Sequence, residues 1–135
     1  MAFPNRLLSH STWRHVGLGV TGLVFGLGAL SIIAPSAAAE SLGITNLTTE
    51  EGRLMNVKAM QFLGIRDIAV AGALIWFHRE SNQKAMGVIL TAWTLVCVTD
   101  TWIAAKGPRG FDNGVWGLVG GSVAMAFVGS GLAQS

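Results

Sequence analysis

Charged residues are scarce in this sequence. They make up 12% of its 135 residues, whereas an ordinary soluble domain has about 25%. Hydrophobic residues account for 51% of the chain, and 18 residues are glycine. Glycine is more frequent in membrane helices than in soluble ones, and a soluble domain with so few charges would cover its surface poorly. The composition therefore favours an integral membrane protein, and the length suits one domain over residues 1–135.

Cysteine and clustered ligand residues are nearly absent. The single cysteine, Cys97, excludes an internal disulfide and a zinc-knuckle spacing. His10, His15 and His78 are scattered along the chain and do not predict a metal site. The basic residues form no stripe for nucleic acid, and the sequence has no phosphate loop or haem motif. We therefore expect no metal, no cofactor and no nucleic-acid partner.

Long apolar runs are what the sequence does contain. They cover about residues 16–34, 56–77, 85–105 and 115–133, and each is close to the ~20 residues that cross a ~30 Å hydrocarbon core. The first run is longer than the 7–15-residue core of a secretory signal, so we expect it to be retained. Short polar segments join the later runs and predict antiparallel neighbours. The predicted fold is all-α: a multi-pass, integral membrane four-helix bundle with antiparallel up-down topology in the lipid bilayer.

The start of the second helix has a clear signal. Thr48 or Thr49, followed by Glu50 and Glu51, predicts a capped helix start. No proline interrupts the chain from there to Phe77 or His78, so the helix would be about 43 Å long. Residues 35–48 are predicted to be a polar connection.

Glycines spaced four residues apart predict close helix packing. Gly22 and Gly26 lie in the first span, and Gly117 and Gly121 lie in the fourth. This spacing lets helix backbones approach each other. It predicts internal packing or, as the alternative, a homo-oligomer through glycine-rich helix faces.

Membrane orientation is not decided by the basic residues. With four spans, the two sides of the membrane receive equal sets: Arg6, Arg14, Arg79 and Lys84 on one side, and Arg53, Lys58, Lys106 and Arg109 on the other. The positive-inside rule depends on an excess of lysine and arginine on one side, and no such excess is present.

The second span carries an unusual set of polar residues: Arg53, Asn56, Lys58, Gln61, Arg66 and Asp67. Each ionisable group inside a bilayer costs about 2.5–3.5 kcal/mol on insertion scales, so such residues indicate function. At 100° per residue, one stripe contains Arg53, Asn56 and Asp67, with Gln61 on its edge and Arg66 pointing away. Adjacent residues on a helix do not face each other. We therefore expect Arg66 and Asp67 not to pair and to find partners elsewhere.

The third span supplies a candidate partner. Trp93, Cys97 and Asp100 follow i, i+4, i+7 spacing and share one face. If that face meets the stripe on the second span, a pocket forms that is lined by Arg53, Asn56, Asp67, Trp93 and Asp100. It would open on the side of the first and third loops.

Three interpretations of these polar residues remain open. They can be an ion-pair clasp that holds the helix register, a binding or catalytic pocket, or a pathway for a proton or solute. Two carboxylates in a low-dielectric site can act as an acid and a base. Transport is the least favoured, because four short spans without broken helices make a poor transporter.

The segment Gly64-Ile65-Arg66-Asp67, with Ala71-Gly72 after it and a lone aspartate in the third span, resembles a known family. This is a small four-helix membrane domain of unknown function from bacteria and fungi, similar in broad architecture to DoxX-like proteins. The resemblance implies the fold and points to Arg66, Asp67 and Asp100. Members often have lysine before the glycine, where this chain has Leu63. A looser likeness to fungal anthrone oxygenases, small multi-helix membrane enzymes that work without metal or flavin, slightly favours an enzyme and does not indicate a substrate.

The leading functional hypothesis is a membrane-embedded pocket for a lipophilic small molecule, with Asp67 and Asp100 as catalytic acid and base. Arg53 or Arg66 would polarise a substrate oxygen; further substrate-binding candidates are Asn56, Gln61 and Trp93. The reaction would be a cofactor-independent isomerisation or cyclisation in a biosynthetic pathway. The alternative is a non-catalytic membrane subunit or scaffold, whose ion pairs fix helix packing or dock a partner.

Overall fold

The computed structural model describes residues 3–45, 47–107 and 109–135. A 3-10 turn over Asn5–Leu7 precedes the α-helices α1 (His10–Ile33), α2 (Pro35–Ser41), α3 (Glu50–Arg79), α4 (Gln83–Ala105) and α5 (Asn113–Ala133). Throughout the described part of the chain the secondary structure is helical and includes no strand. The all-α prediction is therefore confirmed.

Four of these helices, α1, α3, α4 and α5, are long and apolar enough to cross a membrane, by length and composition. Their outward side chains are large and apolar. Ile33, Phe62 and Leu95 are 83%, 74% and 73% exposed. Contiguous apolar surface of this kind is costly in water and suits a lipid environment.

Side-chain caps define where the four long helices begin. The Thr49 side chain accepts a hydrogen bond from the Gly52 backbone N–H, so α3 starts at Glu50 as its sequence predicts and ends at Arg79. Ser9, Asn82 and Asp112 cap α1, α4 and α5 in the same way. These caps satisfy backbone donors that have no partner within the helix.

The connection after the first span contains a short helix. Residues 35–48 were expected to be a polar connection, and within them Pro35–Ser41 forms the short helix α2, partly buried against α3. Proline stands at its first position, where its missing N–H and fixed φ are favourable. Ala38 and Ala39 are buried and pack with Met60 of α3 in a small apolar cluster. Local alanine propensity and this contact explain the helix.

The long helices pack in two close pairs, α1 with α3 and α4 with α5. In the first pair, a Cβ atom on Gly64 would lie 2.6 Å from the Gly28 carbonyl oxygen. In the second pair, a Cβ atom on Gly129 would lie 2.7 Å from the Thr91 backbone nitrogen. Only glycine permits such an approach.

The glycines predicted to pack were the wrong ones. A Cβ atom on Gly22, Gly26, Gly117 or Gly121 would have nothing within 4 Å. Four-residue spacing shows that two glycines share a face, but it does not show which face the neighbouring helix covers. The prediction of internal packing at these positions is therefore wrong, and their role at a homo-oligomer seam stays a prediction.

Contacts between distant segments define the two ends of the molecule. At one end, the Asn5 side chain donates to the Gln134 carbonyl oxygen at 3.0 Å, and the Gln83 amide donates to His10 Nδ1 at 3.2 Å. At the other end, a Cβ atom on Gly114 would lie 2.9 Å from the Ser41 carbonyl oxygen. The first end therefore joins both termini with the α3–α4 turn, and the second joins α2 with the start of α5.

Helices α3 and α4 contact each other over far less of their length than the two close pairs do. They follow one another directly, with Ser81 in the left-handed region at φ 57 between them. Beyond this turn the space between them, here called the α3–α4 crevice, is bordered by Phe77 of α3 and Ile89 of α4.

The α1–α3 contact generates a stability prediction. Gly64→Ala forces the Gly28 and Gly64 backbones apart, and overpacking of this kind costs about 1–3 kcal/mol. The free energy of unfolding of the detergent-solubilised protein, followed by tryptophan fluorescence, measures the loss. Gly72→Ala on the same helix is the matched control, because a Cβ atom there meets nothing within 4 Å. Equal losses for the two variants would contradict the proposed contact.

Candidate functional site

Arg66, Asp67 and Asp100 form one ion cluster between α3 and α4. The Arg66 Nη2 atom donates a hydrogen bond to Asp100 Oδ2 at 3.2 Å. The Arg66 Nε atom lies 3.5 Å from Asp67 Oδ1, an ion-pair distance without a hydrogen bond. One guanidinium therefore links two carboxylates from different helices. We call these residues the Arg66 cluster.

The Arg66 guanidinium group lies over the face of the Trp93 ring of α4. The Arg66 Cζ atom lies 5.1 Å from the centroid of the Trp93 ring. A cation at this distance is attracted by the ring quadrupole, and the attraction strengthens when the pair is desolvated. Trp93 itself is half-buried against the apolar core. The ring thus holds the guanidinium in place beside the two carboxylates.

The side chains of the cluster are partly exposed. The side chains of Arg66 and Asp100 are 36% and 38% exposed, and that of Asp67 is 19% exposed. Asp67 is the more enclosed because Gly28 of α1 packs beside it: a Cβ atom on Gly28 would lie 3.0 Å from the Asp67 Cβ. A molecule that approaches the cluster from its exposed side would therefore meet Arg66 and Asp100 first, with Asp67 behind them.

One prediction about Arg66 is corrected by this geometry. Arg66 and Asp67 do pair, although adjacent residues on a helix point about 100° apart. Arg66 also joins the site, although its Cβ lies off the predicted stripe. The reason in both cases is the long arginine side chain, which can turn along the apolar helix surface before it presents its charge.

Arg53 and Asn56 lie in a different place from the carboxylates. They line a surface cavity of about 360 Å³ together with Glu40 and Val57. Along the axis of α3, Asn56 is about 16 Å from Asp67 at 1.5 Å per residue. The predicted single pocket is therefore divided: Trp93, Asp67 and Asp100 come together, whereas Arg53 and Asn56 do not join them. Gln61 is exposed and makes no contact with the Arg66 cluster among the described side-chain hydrogen bonds.

The hydroxyl groups near Asp100 are already bonded elsewhere. Thr101 Oγ1 donates to the Cys97 carbonyl oxygen at 2.7 Å and lies 3.4 Å from Ser122 Oγ of α5. These hydroxyls tie α4 to its own backbone and to α5. Among residues 3–45, 47–107 and 109–135, no group of three or more His, Cys, Asp or Glu side chains is arranged to hold a metal ion.

Comparison with known proteins gives a family and nothing further. A family model described as domain of unknown function DUF4267 matches residues 19–132. The chain belongs to this family. No curated protein and no solved structure matches it. The expected membership of a small domain-of-unknown-function family is confirmed in this general form. The likeness of the DUF4267 chain to DoxX-like proteins stays a prediction, as does a family role for the Gly64–Asp67 motif.

The interhelical ion pair generates a second prediction. Arg66→Ala and Asp100→Ala, made singly and together, should show a coupling energy of about 1 kcal/mol in a double-mutant cycle, the size found for polar pairs in membrane proteins. Unfolding of the detergent-solubilised protein provides the free energies.

A second cycle combines Arg66→Ala with Asp112→Ala and serves as the control. Asp112 caps α5 and lies 3.8 Å from Arg109, so it belongs to a separate ion pair. Its coupling to Arg66 should be close to zero. Equal coupling in both cycles would show that the Arg66–Asp100 contact has no specific strength.

Proposed function

We propose that this chain is a multi-pass membrane protein with antiparallel up-down spans, which binds a lipophilic small molecule in the α3–α4 crevice and isomerises or cyclises it by proton transfer. The observation that carries the proposal is the Arg66 cluster: one guanidinium is shared by two carboxylates and lies, partly exposed, beside the ring of Trp93. Ionisable groups within a membrane domain are costly unless function requires them. Perturbed and paired carboxylates are also typical of acid–base sites.

The charges of the cluster suit proton transfer. Two carboxylates and one guanidinium give one excess negative charge, and one bound proton makes the cluster neutral. In an apolar environment the neutral form is the cheaper one. We propose that Asp100, the more exposed carboxylate, exchanges a proton with the ligand. Asp67, the more enclosed carboxylate, also exchanges a proton with the ligand in this proposal. Arg66 would stabilise negative charge on a ligand oxygen.

The reaction class follows from these parts. The carboxylate of one aspartate removes a proton from a carbon next to a carbonyl group, which gives an enolate held by Arg66. The carboxylic acid of the other aspartate returns a proton to a different carbon. A double bond has then moved, and no electron has been gained or lost overall. We propose Arg66 and Trp93 as the ligand-contacting residues, since Arg53, Asn56 and Gln61 lie away from the carboxylates.

A second candidate function has its own supporting observation. The Arg66–Asp100 hydrogen bond crosses α3 and α4, which otherwise share few contacts. A non-catalytic subunit could use this ion pair as a clasp. In that case the sign of the charge on each helix would not matter, provided that opposite charges still face each other.

The test separates the two candidates by exchanging the charges. A lipophilic β,γ-unsaturated ketone is supplied to the protein in nanodiscs, and its conversion to the conjugated isomer is followed by absorbance. Asp67→Asn and Asp100→Asn should each lower the rate by at least about 100-fold, the scale of general acid–base catalysis. The double variant Arg66→Asp with Asp100→Arg keeps an ion pair across the helices but moves the carboxylate, so it should fold and remain inactive.

The control is Asp112→Asn, which lies outside the crevice and should leave the rate unchanged. Thermal unfolding of each variant reports on the clasp. If neither the wild-type protein nor any variant converts the ketone, while the charge-exchanged protein regains the stability lost in Arg66→Asp alone, the clasp explains the cluster and the enzymatic proposal fails.

A further inference from the structure

A second feature of the α3–α4 crevice lies at its turn end. A groove of about 420 Å³ is lined there by Phe77, Asn82, Lys84, Ala85, Val88 and Ile89. Its walls are apolar side chains from both helices. Its two polar side chains, those of Asn82 and Lys84, both lie at the start of α4. The groove therefore has an apolar interior and a polar lip.

The lip lies at the depth of lipid headgroups. Lys84 is the second residue of α4, and Asn82 is the capping residue before it. Trp76, near the same end of α3, is 62% exposed, and exposed tryptophans gather at the membrane–water interface. From Lys84 the groove runs along the helices into the apolar part of the spans, in the direction that an acyl chain takes from its headgroup.

Basic residues outnumber acidic residues at this end of the molecule. Contacts between the termini and the α3–α4 turn bring together Arg6, Arg14, Arg79 and Lys84, with Glu80 as the single acidic residue. The opposite end has as many acidic as basic residues: Glu40, Glu50, Glu51 and Asp112 with Arg53, Lys58, Lys106 and Arg109. Among the described residues, the ion pairs include none with Lys84. Its ammonium group is therefore available to an anion.

We propose that the groove binds one acyl chain of an anionic phospholipid, whose phosphate lies at Lys84 and Asn82. The side-chain oxygen of Asn82 accepts from the Ala85 N–H at 3.1 Å, which leaves its amide N–H groups able to donate to a phosphate oxygen. The apolar walls bury the chain, and the positive end selects the negative headgroup. This site does not use the Arg66 cluster, which lies about 20 Å further along α3, and it stands or falls independently of the catalytic proposal.

The contribution of Lys84 to the preference for an anionic lipid follows from its single positive charge. Attraction of one lysine or arginine to an anionic lipid surface favours binding about fivefold. Removal of Lys84 alone should therefore lower the preference for an anionic lipid about fivefold, while the other basic residues at this end retain part of it. Removal of a lysine from the opposite end should have no effect on the groove.

The experiment measures retained lipid by native mass spectrometry. The protein is purified from nanodiscs that contain equal amounts of dioleoyl phosphatidylglycerol and dioleoyl phosphatidylcholine, which differ in charge but not in their chains. The wild-type protein should retain phosphatidylglycerol over phosphatidylcholine by clearly more than about fivefold, because Lys84 and the other basic residues at this end both contribute. Lys84→Gln should reduce this ratio about fivefold, and Lys106→Gln, at the opposite end, should leave it unchanged.

A second variant tests the groove apart from the charge. Ala85→Phe fills the space between Phe77 and Ile89 and should lower the retention of both lipids without changing their ratio. Thermal unfolding in detergent shows whether each variant is folded. Equal retention of the two lipids by the wild-type protein would overturn the proposal, as would a loss of selectivity in Lys106→Gln equal to that in Lys84→Gln. Retention unaffected by Ala85→Phe in a folded protein would place the lipid elsewhere and also overturn it.

Discussion

The contact between Gly28 of α1 and Gly64 of α3 fixes how these two helices pack, and the positions of the neighbouring polar side chains depend on it. Each glycine faces the carbonyl oxygen of the other at a distance that no side chain tolerates, with a Cβ atom on Gly64 only 2.6 Å from the Gly28 oxygen. Asp67 follows Gly64 by one turn and packs beside Gly28. The close approach therefore encloses Asp67, while Arg66, the preceding residue, stays on the side of α4, where it bonds Asp100. Dispersion and close packing drive helix association where lipid surrounds the helices.

Because α3 and α4 belong to different close pairs, the contacts between them vary along their length. At the turn the helices are joined covalently, and the groove between them is apolar with a basic lip. About 20 Å further on, the Arg66–Asp100 hydrogen bond closes the distance between them again. Helices α3 and α4 thus carry a charged cluster within the spans and a separate cationic lip at the turn.

The polar residues of α3 show how far helical periodicity can predict a site. The expectation that Asp67, Trp93 and Asp100 come together agrees with the structure. The angle of each residue around its helix and the order of the helices were enough to predict this. Arg53 and Asn56 were placed with them on the same stripe, but a stripe states the angle around a helix and not the distance along it. Arg66 was placed off the stripe because only its Cβ direction was considered, whereas its charge lies several bonds away. The first error was avoidable, since the distance along a helix follows from 1.5 Å per residue. The second was not, because the position of the Arg66 charge depends on its side-chain conformation.

The sequence by itself determined the helical class, the four long apolar helices and the capped start of α3, because these depend on local composition and on backbone hydrogen bonds within one segment. Only the tertiary structure decided which glycines pack, that α1 pairs with α3 and α4 with α5, and that Arg66 links two carboxylates. These features depend on which helix faces meet. With lipid outside and apolar side chains inside, the hydrophobic pattern scarcely distinguishes one face from another.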